Sequence, residues 1–101
     1  MPKGEKTIEN KIKEYLFMSG HYRIKIHVST FMEKGIPDII ACINGHFVGI
    51  EVKDKGKKST QTEEQKIHQR NIEKAGGLYI LAESLEEVKE KLYEKNIINR
   101  G

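Results

Sequence analysis

At 101 residues and 11.6 kDa the chain has the size of one domain, residues 1–101, with no room for a second core. Its 37% hydrophobic content suffices for a compact interior and excludes wholesale disorder; 18 Lys and Arg against 15 Asp and Glu give a formal charge of +3, which permits a nucleic-acid partner without requiring one. The longest apolar runs, Ile39–Ile43 and Leu78–Ala82, fall far short of the ~20 residues of a membrane span. Residues 1–6 carry no signal-peptide core, and the lone Cys42 excludes an internal disulfide and fits a reducing, cytoplasmic compartment.

The first element is a helix over 7–19, where Ile8, Ile12, Tyr15 and Leu16 fall on one face and Gly20 provides a stop. Residues 22–28 alternate with period two, the pattern of a half-exposed strand, with His27 on its surface side. A loop over 30–37 closes on Gly35-Ile36-Pro37-Asp38. Two apolar segments follow, Ile39–Ile43 and 47–52, and the Asn44-Gly45-His46 between them predicts a hairpin, with Cys42 in the core. The lysine-rich stretch 53–62 reads as an exposed loop. Thr62-Glu63-Glu64-Gln65 has the form of a capping box for a helix reaching Ala75, which Gly76-Gly77 ends. Leu78–Ala82 is a short buried strand. Ser84-Leu85-Glu86-Glu87 forms a second capping box, opening a helix with Leu85, Val88 and Leu92 on one face. The order is α-β-β-β-α-β-α.

Three charged residues stand where core-building would not put them. Asp38 opens an apolar strand, and Glu51 and Lys53 lie two apart at the end of the next one, so their side chains share a face. If the hairpin pairs the two strands, Asp38 lies close to Glu51. Two carboxylates that close repel each other unless a hard divalent cation bridges them. Mg²⁺ or Mn²⁺ held in this way keeps open positions for a phosphate, the usual arrangement for phosphodiester hydrolysis by a metal-activated water, and Lys53 can orient that water and stabilise developing charge. Glu-x-Lys by itself decides little, since it occurs at Glu9/Lys11, Glu51/Lys53, Glu64/Lys66 and Glu87/Lys89. Only Glu51/Lys53 falls on a strand pattern. The competing reading is a salt bridge at the sheet edge.

Glu9 borders the apolar face of the first helix, either leaning over the sheet toward the metal pocket or paired with Lys13 at i+4. Gln65 belongs to the capping box and shares a helix stripe with His68 and Ile72 that would line a pocket. Lys55, Lys57 and Lys58 crowd the loop beside the site, where phosphate contact competes with plain solvation. The four histidines and Cys42 show no paired zinc spacing.

Taken together, Glu9, Gly35-Ile36-Pro37-Asp38, Gly49-Ile50-Glu51-Val52-Lys53, Thr62-Glu63-Glu64-Gln65 and Ala75-Gly76-Gly77 resemble the VRR-NUC domain of the PD-(D/E)XK nuclease superfamily, in its standalone phage and bacterial form. The resemblance implies an α/β (α+β) restriction-endonuclease-like fold: an αβββαβ core, a mixed sheet flanked by helices, plus a C-terminal helix. It also implies that Asp38, Glu51 and the backbone carbonyl of Val52 ligate the metal, that Lys53 is the catalytic lysine, and that Glu9 and Gln65 are the family's helix residues. The expected function is a Mg²⁺- or Mn²⁺-dependent DNA endonuclease selective for branched or four-way junction DNA. The alternatives are a DNA-binding module without turnover and a nuclease acting on RNA. Two symmetric cuts in a junction call for a homodimer, with Phe17, Met18, Phe31, Met32, Ile97 and Ile98 as interface candidates or, equally, as residues closing the core.

Overall fold

The computed structural model describes residues 3–27, 29–30 and 32–100, without the side chain of Lys3. Its elements are α1 (Lys3–Met18), β1 (Tyr22–Lys25), β2 (Ile39–Ile43), β3 (His46–Val52), α2 (Glu63–Lys74), β4 (Leu78–Ala82) and α3 (Leu85–Glu94). One four-stranded sheet carries them, in the order β1-β2-β3-β4. The first three strands pair antiparallel and β4 pairs parallel to β3, so the sheet is mixed. The crossover from β3 to β4 passes through α2, as a parallel connection requires. This is the restriction-endonuclease-like α+β architecture, with α3 appended.

The order of elements follows the expectation, and the departures have local causes. Helix α1 starts a turn earlier, at Lys3, because Gly4 lets the Asp54 carboxylate approach the helix's positive end; a Cβ at Gly4 would lie 2.3 Å from Asp54 Oδ1. The hairpin turns on Asn44 and Gly45, both with positive φ (50° and 82°), as a type I′ turn demands. The lysine-rich loop contains a single 3₁₀ turn at Lys58–Thr60. At α3, Ser84 Oγ accepts from the Glu87 amide, but the Glu87 carboxylate reaches one residue further back, to the Glu83 amide at 2.8 Å, so the reciprocal half of the expected box is not formed.

Ile12 and Leu16 of α1 and Val88 and Leu92 of α3 bury one face of the sheet, against Ile39, Ala41 and Ile43 of β2, Val48, Ile50 and Val52 of β3, and Ile80 and Ala82 of β4. Ile97 is buried in this core and Ile98, partly buried, packs against it, so both help to close it. Phe17 (67% exposed) and Met18 (75%) remain on the surface, and Phe31 and Val28 lie outside the described residues. Cys42 corrects the expectation of a core residue: it is exposed, because β2 alternates and its other face is only partly covered. Among the described residues no helix is long and apolar enough to cross a membrane.

Strand β1 inverts its apparent pattern. Alternation would send Tyr22 and Ile24 inward and the charges outward, yet Tyr22 and Ile24 are exposed while Arg23 and Lys25 are half-buried. A buried carboxylate on α1 explains the choice at Lys25.

Candidate active site

The hairpin register decides how the acids meet. Ile39 pairs with Ile50, so Asp38, one residue before β2, comes opposite Glu51. Asp38 Oδ2 accepts a hydrogen bond from the Val52 amide at 2.8 Å, which ties the Pro37-Asp38 segment to the end of β3. In an extended strand a residue's amide and carbonyl point to the same side, so the Val52 carbonyl is also directed toward Asp38.

Glu51 is 4% exposed. Its Oε2 accepts from Gln65 Nε2 at 3.2 Å and lies 4.0 Å from Lys53 Nζ, while its Oε1 is buried with no hydrogen-bond partner among the described residues. Burial, with the Asp38 carboxylate adding to it, pushes the Glu51 acid up to about 9, and the Lys53 ammonium offsets only part of this. Lys53 is itself buried, at 7% exposure. Such a carboxylate, desolvated, pressed against a second acid and short of one partner, fits a hard divalent cation, which would satisfy the orphan oxygen and cancel the repulsion. Among the described residues no three Asp, Glu, His or Cys side chains converge in metal-holding geometry; Asp38 and Glu51 are the two carboxylates that the hairpin register sets opposite each other.

Gln65 satisfies both of its readings at once. Its Oε1 accepts from the Thr62 amide at 2.9 Å to complete the capping box, and its Nε2 holds Glu51. The α2 N-terminus reaches the acids because Gly35 has φ +87° and no side chain; a Cβ there would lie 2.4 Å from the Glu64 carbonyl carbon. Gly49 plays a similar part under the site, where Pro37 and Ile72 pack against its Cα face. His68 does not reach the acids and instead lines an apolar groove of about 410 Å³ with Phe47, Asn71 and Ile72.

Glu9 is fully buried. It lies in an ion-pair cluster with Lys25 (3.0 Å), Lys13 (3.3 Å) and Lys6 (3.7 Å), so the i+4 pairing with Lys13 is realised and the lean toward the sheet is realised through Lys25. Burial raises the Glu9 acid, but Lys25 and Lys13 outweigh that and hold it below the usual carboxylate range. Lys25 also stands 4.0 Å from Asp38 Oδ1. Sequence reasoning passed over Lys25, and the available signal was that β1 places its charged residues at every second position.

The lysine loop is fastened at its far side. The Gly56 amide donates to Glu83 at 2.8 Å and Lys58 pairs with Glu87, whereas Lys55 and Lys57 are exposed. Lys55→Ala with Lys57→Ala is therefore expected to flatten the slope of log affinity against log salt by up to ~0.9 for each phosphate no longer neutralised. Lys58→Ala should change it less, because Glu87 already competes for that ammonium. Equal slopes for all variants in a salt titration would mean that the loop does not touch phosphate.

A model of the archaeal Holliday junction resolvase (Hjc) family matches residues 2–100. The chain belongs to that family. Its members are nucleases of the PD-(D/E)XK type, the superfamily to which the motif resemblance pointed, and the resolvase fold accounts for the mixed sheet flanked by helices. No curated protein matches the chain.

Proposed function

We propose that this resolvase-family chain is a divalent-metal-dependent endonuclease that cuts branched DNA, four-way junctions foremost, through a site built on Asp38, Glu51 and Lys53. The observation that carries this reading is the buried Glu51 carboxylate beside Asp38, with one oxygen unpartnered and an ammonium 4.0 Å away. Asp38, Glu51 and the Val52 carbonyl would hold Mg²⁺ or Mn²⁺, which when bound supplies positive charge to a phosphate oxygen and makes a nearby water more acidic. The protein's own groups do the rest. Gln65 and the Val52 amide fix the two carboxylates in place, one oxygen of each. Lys53, buried and therefore poorly screened, orients the attacking water and stabilises charge developing on the phosphate. Lys55 and Lys57 hold the flanking backbone. The Gly35–Asp38 and Gly49–Lys53 motifs support a VRR-NUC-like member.

The test is a cleavage panel of four-way junction, flap, duplex and single-stranded substrates, in DNA and RNA, with Mg²⁺ or with EDTA. Metal-dependent cutting with junction DNA preferred is the expected result. Binding without cutting in every metal would favour a DNA-binding module, and faster cutting of RNA the third reading.

A homodimer is part of the proposal. Tyr22 pairs in register with Cys42, and Cys42 with Phe47, so a row of exposed side chains crosses three strands at the hairpin end of the sheet, four residues along β2 and β3 from the acids, with Tyr22 at 66% and Phe47 at 46% exposure. Ile24 and, on α2, Ile67 extend this apolar surface. A face of this kind supports pairing of two copies, and a junction's two-fold symmetry supplies the reason. Phe47→Asp is expected to give a monomer by sedimentation that nicks junctions but loses paired cuts. A dimer surviving in that variant would place the interface elsewhere.

A further inference from the structure

Glu9, Lys25 and Asp38 form a carboxylate–ammonium–carboxylate row. Lys25 Nζ lies 3.0 Å from Glu9 Oε1 and 4.0 Å from Asp38 Oδ1. The two other lysines of the cluster, Lys6 and Lys13, approach Oε2, so the Glu9 oxygen on the Asp38 side has Lys25 as its ion-pair partner. Glu9 is fully buried, and among the described residues its charge is met by these three ammonium groups. A position between two carboxylates, one of them desolvated, is where a second divalent ion would sit if the ammonium were absent.

Resting on the metal-site reading above, we propose that Lys25 stands in for a second divalent cation, filling the gap between Glu9 and Asp38 and limiting the site to one metal ion per chain. Lys25 alone of these lysines also approaches Asp38, so it already supplies, between Glu9 Oε1 and Asp38 Oδ1, the positive charge that a second ion would bring, while Lys6 and Lys13 meet Oε2. Glu9 then acts through Lys25, as a positioning residue, and not as a ligand. The strand inversion has the same origin, since Lys25 must face α1 to reach Glu9.

The experiment is a Mn²⁺ titration of the full chain without DNA, read by the paramagnetic resonance signal of the free ion, on wild type, Lys25→Ala, Lys25→Gln and Lys25→Arg. One ion per chain is expected for wild type and Lys25→Arg. Two are expected for Lys25→Ala, which empties the gap, and for Lys25→Gln, whose amide oxygen can itself coordinate. Adding Glu9→Gln to Lys25→Gln should remove the second ion. Saturating Mn²⁺ should also raise the melting temperature more in Lys25→Ala than in wild type, a difference that a purely structural helix–strand ion pair would not produce. If Lys25→Ala does not fold, Lys25→Gln decides, because it spans the same gap. One ion in every folded variant, or two in the wild type, overturns the proposal while the Asp38–Glu51 site stands. No ion in any protein overturns both.

Discussion

Glu51→Gln is expected to abolish strand cleavage and, in the metal-free protein at pH 8, to raise the melting temperature. The two effects have one cause. The wild-type carboxylate is buried, with one oxygen unpartnered, and faces Asp38, so its acid lies near 9 instead of the ordinary 4.5. An acid raised in the folded state binds more protons there than in the unfolded chain. Its contribution is therefore fully present below pH 4.5 and is lost as pH rises toward 9. Within that window each unit of pH costs at most ~1.4 kcal/mol. The neutral amide keeps the shape of the side chain, removes this loss and, without the negative charge, holds a divalent cation far more weakly beside Asp38. Melting temperatures of the metal-free protein at pH 5 and pH 8 should differ strongly in wild type and little in Glu51→Gln, and Mn²⁺ should narrow the wild-type difference. A variant that cuts junctions at the wild-type rate would remove Glu51 from the site.

Asp38→Ala is expected to eliminate cleavage as completely, by a factor of at least ~10³, with the opposite effect on stability. Asp38 Oδ2 is the acceptor for the Val52 amide at 2.8 Å, and its removal leaves a partly buried N–H without its partner, at ~1–3 kcal/mol. Junction binding should persist in both variants, since each removes negative charge from the face that meets phosphate. Gel-shift and cleavage assays on the same four-way junction, alongside thermal melts, measure all three quantities. Two inactive acid variants with melting shifts of opposite sign would separate the acid that builds the site from the acid that strains it. Shifts of equal sign would contradict the partner assignments at Asp38 and Glu51.

Element by element, periodicity and capping chemistry located much of the fold. Ile12 and Leu16 at helical spacing, Asn44-Gly45 between apolar runs, and the Thr62–Gln65 box each name a structure that forms without distant help. The acid pair was legible for the same reason: a two-residue hairpin turn sets the register, and register alone brings Asp38 opposite Glu51. Local spacing also misled. The Tyr22–Lys25 alternation reads as apolar-in and charged-out, and Cys42 reads as core, because both readings assume that each sheet face is either buried or open along its whole length.

The sequence by itself determined the order of helices and strands, the hairpin register, and hence the meeting of Asp38 with Glu51, since all of these depend on interactions close along the chain. Only the tertiary structure decided which charges are buried and whom they face. Glu9 on α1 meets Lys25 on β1, Gln65 on α2 meets Glu51 on β3, and the lysine loop is tied to α3 through Glu83 and Glu87. These pairings join elements that no hairpin register links and that only packing brings together, and a carboxylate's cost or benefit depends on the desolvation and the partner that packing gives it. No residue spacing carries that information.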